Sequence, residues 1–317
     1  AVRADVTVSM LGRKPGLHTG AGPDHAGEVV LALLELPEEI YDGVAPAAHL
    51  LRDTDLSGWL PRRARNSHKG TYGTVLVVGG DHGMMGAALL AARAALRAGA
   101  GLVSVATRPE HAAAMTAAQP ELMCRGVNSG RELAPLLREA SAVVVGPGLG
   151  QDTWGRGLLA RTLDSSLPLV VDADGLNLLS GEPDRRDGWI LTPHPGEAAR
   201  LLGGMRSADV QDDRLSAVRN LREKYGGVAV LKGAGTLVQG SQLMLCPYGN
   251  PGMAGGGMGD VLGGVIAALL AQGLTLETAA NAGVLAHALA GDRAAYGGER
   301  GMLAEDLLAE LRVAVNA

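Results

Sequence analysis

The hydrophobic positions follow one repeating pattern from residue 66 towards the end of the chain. Short apolar runs rich in Val and Leu end in glycines or an acidic residue, and longer Ala/Leu-rich runs with helical spacing separate them. Continuous apolar strands that alternate with helices are typical of a parallel sheet covered on both faces. The pattern therefore predicts an α/β fold, in which ligands bind at the carboxyl ends of the strands.

The individual elements can be placed from the apolar runs and their breakers. Strands are predicted over 74–80 and 102–107, and at the start of 141–150, 167–179 and 188–203. A strand, a tight loop and a second strand are predicted within 228–238. Helices are predicted over 86–101 and 261–272, and a helix pair is predicted over 274–295.

The first 65 residues have a different pattern. Residues 4–12 alternate like a strand, and the Gly/Pro-rich stretch 13–37 leads to a second strand-like run. Residues 38–65 combine charges and prolines and are interpreted as a linker with some docking onto a neighbour. Because the chain starts without Met or a signal peptide, we expect it to be a piece or a processed product of something longer.

Composition excludes several classes of protein. With a net charge of −5 and no Lys/Arg run with interleaved aromatics, the chain is not expected to bind nucleic acid. No apolar run is long enough to cross a membrane, so no membrane partner is expected. Cys124 and Cys246 belong to no CxxC pair, which favours two buried thiols in a reducing cytoplasm over a metal knuckle or a disulfide framework.

The stretch 250–260, NPGMAGGGMGD, places five glycines before Asp260 and a predicted helix. Backbone amides at a helix N-terminus lack internal partners, and glycines let them approach a phosphate closely. This arrangement favours an anion hole for a transferring phosphoryl group, with Asp260 able to take a proton from a substrate hydroxyl. The alternative is that Asp260 is the N-cap of helix 261–272, and both roles are compatible.

Other glycine motifs do not match standard nucleotide folds. The chain contains no GxxxxGK[ST] sequence, which excludes a P-loop. In GGDHGMMG (79–86), Asp81 occupies the second glycine position of a dinucleotide fingerprint, and the next strand ends on Thr107 rather than an acid. These glycines therefore form either a tight turn or a substrate-facing loop.

Several polar residues follow predicted strands, and each has a structural alternative. His194 is either a ligand-contacting imidazole between two stiffening prolines or an exposed turn residue. Asp172 and Asp174 either hold Mg²⁺ through water, bind a hydroxyl, or cap a helix over 175–179. Lys232 is either a residue that lines a site for a nucleotide phosphate or ribose, or a solvent-exposed lysine in a β-turn. The loop GPGLG (146–150) is either a site of close backbone approach or a simple turn.

Seven motifs in one order carry a resemblance to a known family. They are SHKGTYGTVLVVGG, GAALLAARAALRAGAG, VVVGPGLG, VVDADGLNLL, ILTPHPGE, VLKGAGT and NPGMAGGGMGDVLGG. Together, over about 66–312, they resemble the NAD(P)H-hydrate dehydratase family of the ribokinase-like superfamily. The resemblance implies a ribokinase-like fold with a largely parallel sheet and helices on both faces.

The resemblance also implies a repair reaction on NADHX and NADPHX, nicotinamide coenzymes hydrated at C6 of the ring. Such an enzyme phosphorylates the C6 hydroxyl with a nucleotide, and phosphate then leaves because it is a far better leaving group than hydroxide. Most bacterial members use ADP, so ADP is favoured over ATP and AMP would be the product. Mg²⁺ is expected as cofactor, and a homo-oligomer such as a tetramer is expected as the assembly.

The resemblance assigns roles to positions of this sequence. Asp260 would be the base, with the Gly256–Gly259 amides, chiefly those of Gly257 and Gly259, steadying the developing charge. The positions that match hydrate-binding residues are Ala87, Gly148, His194 and Asp260. The positions that match the nucleotide site are Lys232, Gly233, Ala234, Gly235, Thr236 and Gly259.

The N-terminal residues carry a second resemblance. The stretch ADVTVSMLGRKPGLHTGAGPDHAG is similar to the last portion of the NAD(P)H-hydrate epimerase domain, a Rossmann-like domain fused ahead of many bacterial dehydratases. It implies three parts: a partial epimerase-like segment at 1–40, a linker at 41–65 and a dehydratase domain at 66–317. The epimerase's catalytic Asp would lie upstream, so no epimerisation is expected from 1–40.

Two other functions remain open from the sequence. A kinase of a small hydroxylated metabolite, such as a vitamin or a sugar, would share the fold and the glycine-rich loop. A non-catalytic nucleotide-binding module would carry a spoiled catalytic acid, whereas Asp260 is intact.

Overall fold

The computed structural model describes residues 2–316, and ten of its strands form one sheet. The sheet order is β3-β12-β11-β10-β9-β8-β7-β4-β5-β6, and only β11 runs antiparallel to its neighbours. This arrangement confirms the predicted α/β class with a largely parallel sheet. The strands of this sheet are β3 (His49–Leu50), β4 (Thr74–Val78), β5 (Leu102–Thr107), β6 (Met123–Gly126), β7 (Ala142–Val145), β8 (Leu169–Val171), β9 (Trp189–Leu191), β10 (Val228–Leu231), β11 (Thr236–Gln239) and β12 (Leu243–Cys246).

Helices cover both faces of the sheet. They are α1 (Pro23–Ala26), α2 (Asp55–Trp59), α3 (Met85–Arg97), α4 (Pro109–Ala118), α5 (Gly130–Glu139), α6 (Thr153–Leu163), α7 (Ala173–Gly181), α8 (Pro195–Leu201), α9 (Ser207–Asp212), α10 (Arg214–Tyr225), α11 (Met258–Ala271), α12 (Leu276–Ala294) and α13 (Ala304–Ala314). None of the helices within residues 2–316 combines the length and apolar character that crossing a membrane requires.

Two predicted helix boundaries were wrong. A helix pair was expected over 274–295, but this stretch forms the single helix α12. Gly283 does not break the helix; it lets α12 pack against Ile266, where a Cβ on Gly283 would come within 2.6 Å of Ile266 Cγ1. Helix α11 begins at Met258 rather than at residue 261. Its glycines have weak helix propensity, and packing of the helix onto the sheet overrides it.

The strands divide the core into two layers because successive side chains point to opposite faces. In β4, Val75 and Val77 pack beneath α3, α11 and α12, whereas Leu76 and Val78 pack towards α5, α6 and α7. All four side chains are fully buried. The sheet is thus a rigid platform whose strand ends hold the loops.

Glycine allows α11 to pack closely against α3. A Cβ added to Gly264 would overlap the carbonyl oxygen of Ala91. We therefore expect Gly264→Ala to lower the free energy of unfolding by roughly 1–3 kcal/mol, measured by urea denaturation. Gly157→Ala is the matched control, because Gly157 lies within α6 with nothing within 4 Å and should gain up to ~1 kcal/mol from helix propensity. Equal effects would contradict the packing argument.

The N-terminal residues form a small separate sheet. Strand β1 (Val6–Met10) pairs in parallel with β2 (Glu28–Ala32), and neither joins the ten-stranded sheet. Within the predicted linker 41–65, β3 pairs with β12, and Leu51 and Leu56 are buried in the main core. This part of the chain is thus structurally integrated with the main sheet.

Candidate active site

Five neighbouring strands bring the predicted site loops to one edge of the sheet. The carboxyl ends of β10, β9, β8, β7 and β4 lead to Lys232, His194, Asp172, Gly148 and Gly79 respectively. Strand β4 pairs with β5 on one side and β7 on the other, so the connections diverge there. Such a switch point opens a crevice where ligands bind in α/β sheets.

Helix α11 begins directly at this edge. Gly257 is its N-cap with φ +89°, and a Cβ there would come within 2.6 Å of Leu90 Cδ1. Both the backbone conformation and the lack of space therefore favour glycine at this position. Asp260 is the third residue of the helix, which overturns the alternative that it is the N-cap of a helix over 261–272. The first-turn amides of α11 have no partner four residues back and can bind an anion.

A buried ion pair lies against the first turn of α11. The Lys232 ammonium donates to Asp172 Oδ1 at 2.7 Å and lies 3.8 Å from Glu197 Oε2. The Asp172 and Glu197 side chains are only 2% and 6% exposed. A Cβ on Gly259 would lie 3.1 Å from Lys232 Nζ and 3.5 Å from Asp172 Oδ2, so the helix backbone closely approaches this pair.

Asp260 has an unusual pKa because it is buried next to this cluster. Burial, followed by the charge of Asp172, raises its pKa to about 7, while the Lys232 ammonium opposes the shift. Burial also raises the pKa of Glu197 to about 6. Burial opposes the charge on Lys232, but the carboxylates of Asp172 and Glu197 outweigh it and raise the lysine pKa. A carboxyl that titrates near neutrality suits a general base.

His194 is held rigidly at the start of α8. Its Nδ1 accepts from the amide of Gly196 at 3.0 Å, and its own backbone N–H donates to Glu197 Oε2 at 2.8 Å. Since Nδ1 accepts, the neutral ring carries its proton on Nε2. Burial, with Lys232 and Arg200, lowers the pKa of His194, and the side chain is 52% exposed. The imidazole is therefore a helix cap whose Nε2 lies 3.5 Å from Glu197 Oε1 and whose half-exposed ring is accessible to a ligand.

The predicted substrate positions Ala87 and Gly148 meet at the switch point. Gly148 has φ +56°, and a Cβ there would lie 3.2 Å from Ala87 Cβ. Asp174 accepts from the Gly150 amide at 2.9 Å and so holds this loop. Asp172 occupies the N-cap position of α7 but bonds Lys232 instead of a helix amide, so neither acid caps a helix over 175–179.

The predicted nucleotide loop 232–236 joins β10 to β11. Gly233 and Gly235 both have positive φ, at +131° and +63°. Two residues that the sequence did not indicate contact this loop. Arg214 donates to the Lys232 carbonyl, and Thr19 of the N-terminal segment accepts from Arg214 and donates to the Gly235 carbonyl. Both side chains are buried.

The described residues of the site do not form a preformed metal-binding site. Residues 2–316 contain no group of three or more His, Cys, Asp or Glu side chains arranged to hold a metal ion. Asp172 and Glu197 are already occupied by Lys232. Mg²⁺ commonly binds through substrate phosphates and only one or two carboxylates, so these residues fit a nucleotide-borne ion better than a resident one.

Comparisons with known proteins identify the family that this chain is similar to. A family model described as NAD(P)H-hydrate dehydratase (Carb_kinase) matches residues 75–312. The chain is 52% identical to a bifunctional NAD(P)H-hydrate repair enzyme of Coxiella burnetii, over all of this chain and 65% of that relative, so it spans less than two thirds of the relative's length.

Solved structures give the same picture. An ADP/ATP-dependent NAD(P)H-hydrate dehydratase from Bacillus subtilis, co-crystallised with ATP/Mg²⁺, is similar with a TM-score of 0.77 and 28% identity, covering 86% of this chain and 99% of that one. A ribokinase-like superfamily protein from Enterococcus faecalis also has a TM-score of 0.77 at 28% identity, covering 86% and 96%. These matches confirm the ribokinase-like fold.

Proposed function

Because the chain belongs to the NAD(P)H-hydrate dehydratase family, we propose that it converts NADHX and NADPHX back to NADH and NADPH in a nucleotide-dependent reaction. The observation that carries the proposal is Asp260, placed in the first turn of α11 and beside Lys232, with a pKa raised to about 7. A general base that lies next to an anion-binding helix N-terminus suits the transfer of a phosphoryl group to a hydroxyl.

The reaction has two steps. Asp260 takes the proton of the C6 hydroxyl as that oxygen attacks the terminal phosphoryl group of the nucleotide, and the bond from phosphorus to the departing nucleotide oxygen breaks. The amides of Gly257 and Gly259 donate to the phosphoryl oxygens as charge develops. The C6–O bond then breaks, phosphate leaves with the bonding electron pair, and C5 gives up a proton to solvent as the C5=C6 double bond of the dihydronicotinamide ring is restored.

The substrate and nucleotide occupy neighbouring parts of the same edge. Ala87, Gly148 and His194 line the hydrate side, whereas Lys232 to Thr236, with Gly259, form the nucleotide side. ADP is the favoured donor and AMP its product; the Bacillus relative's name, ADP/ATP-dependent, supports nucleotide use of this kind. Mg²⁺ would arrive on the nucleotide phosphates and supply positive charge there.

A direct absorbance assay tests the proposal. Incubation with ADP and NADHX should restore the absorbance band of NADH, and omission of the nucleotide should leave it flat. A small-molecule kinase of the same fold would leave the band flat with ADP present and would phosphorylate another alcohol. That result would overturn the assignment.

The raised pKa of Asp260 predicts the pH dependence of the reaction. Asp260 must be ionised to accept a proton, and its pKa is raised to about 7. We therefore expect kcat/KM to rise about tenfold per pH unit below pH 7 and to level off above it. The residual rate of Asp260→Asn should lack this limb, and a flat wild-type profile through neutrality would contradict the role.

We also propose that residues 1–40 belong to a second, epimerase-like unit, with 66–317 as the dehydratase unit. The separate pairing of β1 with β2 supports this division. The Coxiella relative is named bifunctional and is longer than this chain.

A further inference from the structure

The N-terminal segment His18–Gly20 reaches the proposed nucleotide loop. The Gly20 amide donates to Ala234 O at 3.0 Å, and the Thr19 hydroxyl lies 2.8 Å from Gly235 O. The fit is tight, because a Cβ on Gly235 would overlap the His18 carbonyl. Two parts of the chain more than 200 residues apart therefore share one interface.

Arg214 forms hydrogen bonds with both parts of this interface. Its Nε donates to Thr19 Oγ1 at 2.9 Å, and its Nη2 lies 3.2 Å from both Leu231 O and Lys232 O. The side chain is buried and forms no ion pair with any carboxylate of residues 2–316. Burial lowers its pKa only to about 10, so the guanidinium stays charged at neutral pH.

These contacts orient the peptide groups of the loop. The carbonyls of Leu231, Lys232, Ala234 and Gly235 all accept from Arg214, Thr19 or Gly20. In a trans peptide the C=O and the next N–H point in opposite directions. The amides of Gly233 and Gly235 consequently face away from Arg214, as donors that an anion can use.

We propose that Thr19 and Arg214 are positioning residues that hold loop 232–236 in its phosphate-binding conformation, so that nucleotide binding and docking of the N-terminal segment are linked. The proposal rests on the proposed nucleotide role of this loop. Because linkage is reciprocal, docking tightens the binding of ADP, and ADP stabilises the docked segment.

The test uses the full chain and ADP. Thr19→Val keeps the shape of the side chain but removes the hydroxyl that joins Arg214 to Gly235, so we expect the Kd of ADP by calorimetry to rise about 5- to 20-fold. Thr19→Ser retains the hydroxyl and should stay within about twofold of wild type. In turnover, the KM for ADP should rise in Thr19→Val while kcat changes by less than about twofold.

The matched control is Thr7→Val, which removes a hydroxyl bonded to Ala26 O within the same N-terminal segment but away from the loop. Its ADP affinity should equal that of wild type. Hydrogen exchange adds a second readout: ADP should slow exchange of the Gly20 amide in wild type and much less in Thr19→Val. If Thr19→Val does not fold, Arg214→Lys gives the same test, because it keeps the charge but cannot reproduce the hydrogen bonds of the guanidinium to Thr19, Gln211, Leu231 and Lys232.

The outcomes separate the two proposals. If wild type binds no ADP, the assignment of the nucleotide loop fails. If wild type binds ADP and folded Thr19→Val or Arg214→Lys binds it equally well, the linkage alone is overturned.

Discussion

Asp260→Asn is expected to lower kcat for NADHX dehydration by roughly 10²- to 10⁴-fold, the range typical for loss of a general base. Asparagine matches aspartate in size but cannot take the C6 hydroxyl proton. The measurement is the return of NADH absorbance at saturating ADP. The Kd of ADP should change little, since the proposed nucleotide contacts lie on Lys232 to Thr236 and on the backbone of Gly259, which the substitution leaves in place.

The chain offers a matched control at the same helix position. Asp306 is the third residue of α13, as Asp260 is of α11, but its carboxylate caps the helix by accepting from the Leu303 amide at 2.8 Å. Asp306→Asn should keep wild-type turnover and lose only about 1 kcal/mol of stability. Undiminished turnover in Asp260→Asn would refute the base, and loss of ADP binding would assign the carboxylate to the nucleotide instead.

Stability provides an independent check on the same variant. Burial and then Asp172 raise the pKa of Asp260 to about 7, so its ionised form is disfavoured in the folded protein. A carboxyl with a raised folded-state pKa loses native stability as pH rises from its ordinary pKa to the raised one, and the whole loss is present above the raised pKa. Asp260→Asn should therefore melt at the same or a higher temperature than wild type above pH 7, as expected for a site that gives up stability for function.

The sequence predicts the location of the site better than its contacts. Apolar strands ending in glycine or acid placed Asp172, His194 and Lys232 at strand ends, and the parallel sheet brings such ends to one edge. The sequence did not predict that Lys232 pairs with Asp172, 60 residues away, or that Glu197 joins them. Pairing of side chains depends on strand order, which no local pattern encodes.

Packing also decided features that local propensity could not. Helix α11 begins three residues early, where a Cβ on the N-cap Gly257 would collide with Leu90 and the backbone of Gly259 lies close to the Lys232–Asp172 pair. The contact of Thr19 with Ala234 and Gly235 joins residues 215 and 216 positions apart. Neither has a periodic signal, since both follow from shape complementarity between distant segments.

Lys232→Met is expected to lower the free energy of unfolding by roughly 3–5 kcal/mol, because it leaves the carboxylates of Asp172 and Glu197 buried without their cation. Methionine keeps the length and apolar stem of lysine, so the loss reports the charge rather than the volume. Urea denaturation at neutral pH gives the measurement. The matched control, Lys224→Met, removes an exposed lysine that donates to the Leu201 carbonyl and lies 5.2 Å from the centroid of the Tyr225 ring, and it should cost at most about 1 kcal/mol.

A double variant separates the ion pair from its surroundings. Adding Asp172→Asn to Lys232→Met removes the buried charge that Lys232 neutralised, so the double variant should be more stable than Lys232→Met alone. Equal stability of Lys232→Met and Lys224→Met would mean that water or a rearrangement already neutralises these carboxylates in the wild type.

The pH dependence of the Lys232→Met deficit follows from the same charges. Lys232 lowers the pKa values of Glu197 and Asp260 against the effect of burial, so its loss raises both further. A carboxyl with a raised folded-state pKa lowers native stability as pH rises from its ordinary unfolded pKa to its folded pKa, and the full loss persists above the folded pKa, so the deficit should be larger at about pH 9 than at about pH 5. Any residual turnover should show its Asp260 limb displaced to higher pH, because the base then loses its proton later. A deficit that stays constant between those pH values would show that Lys232 stabilises the site by packing and not through its charge.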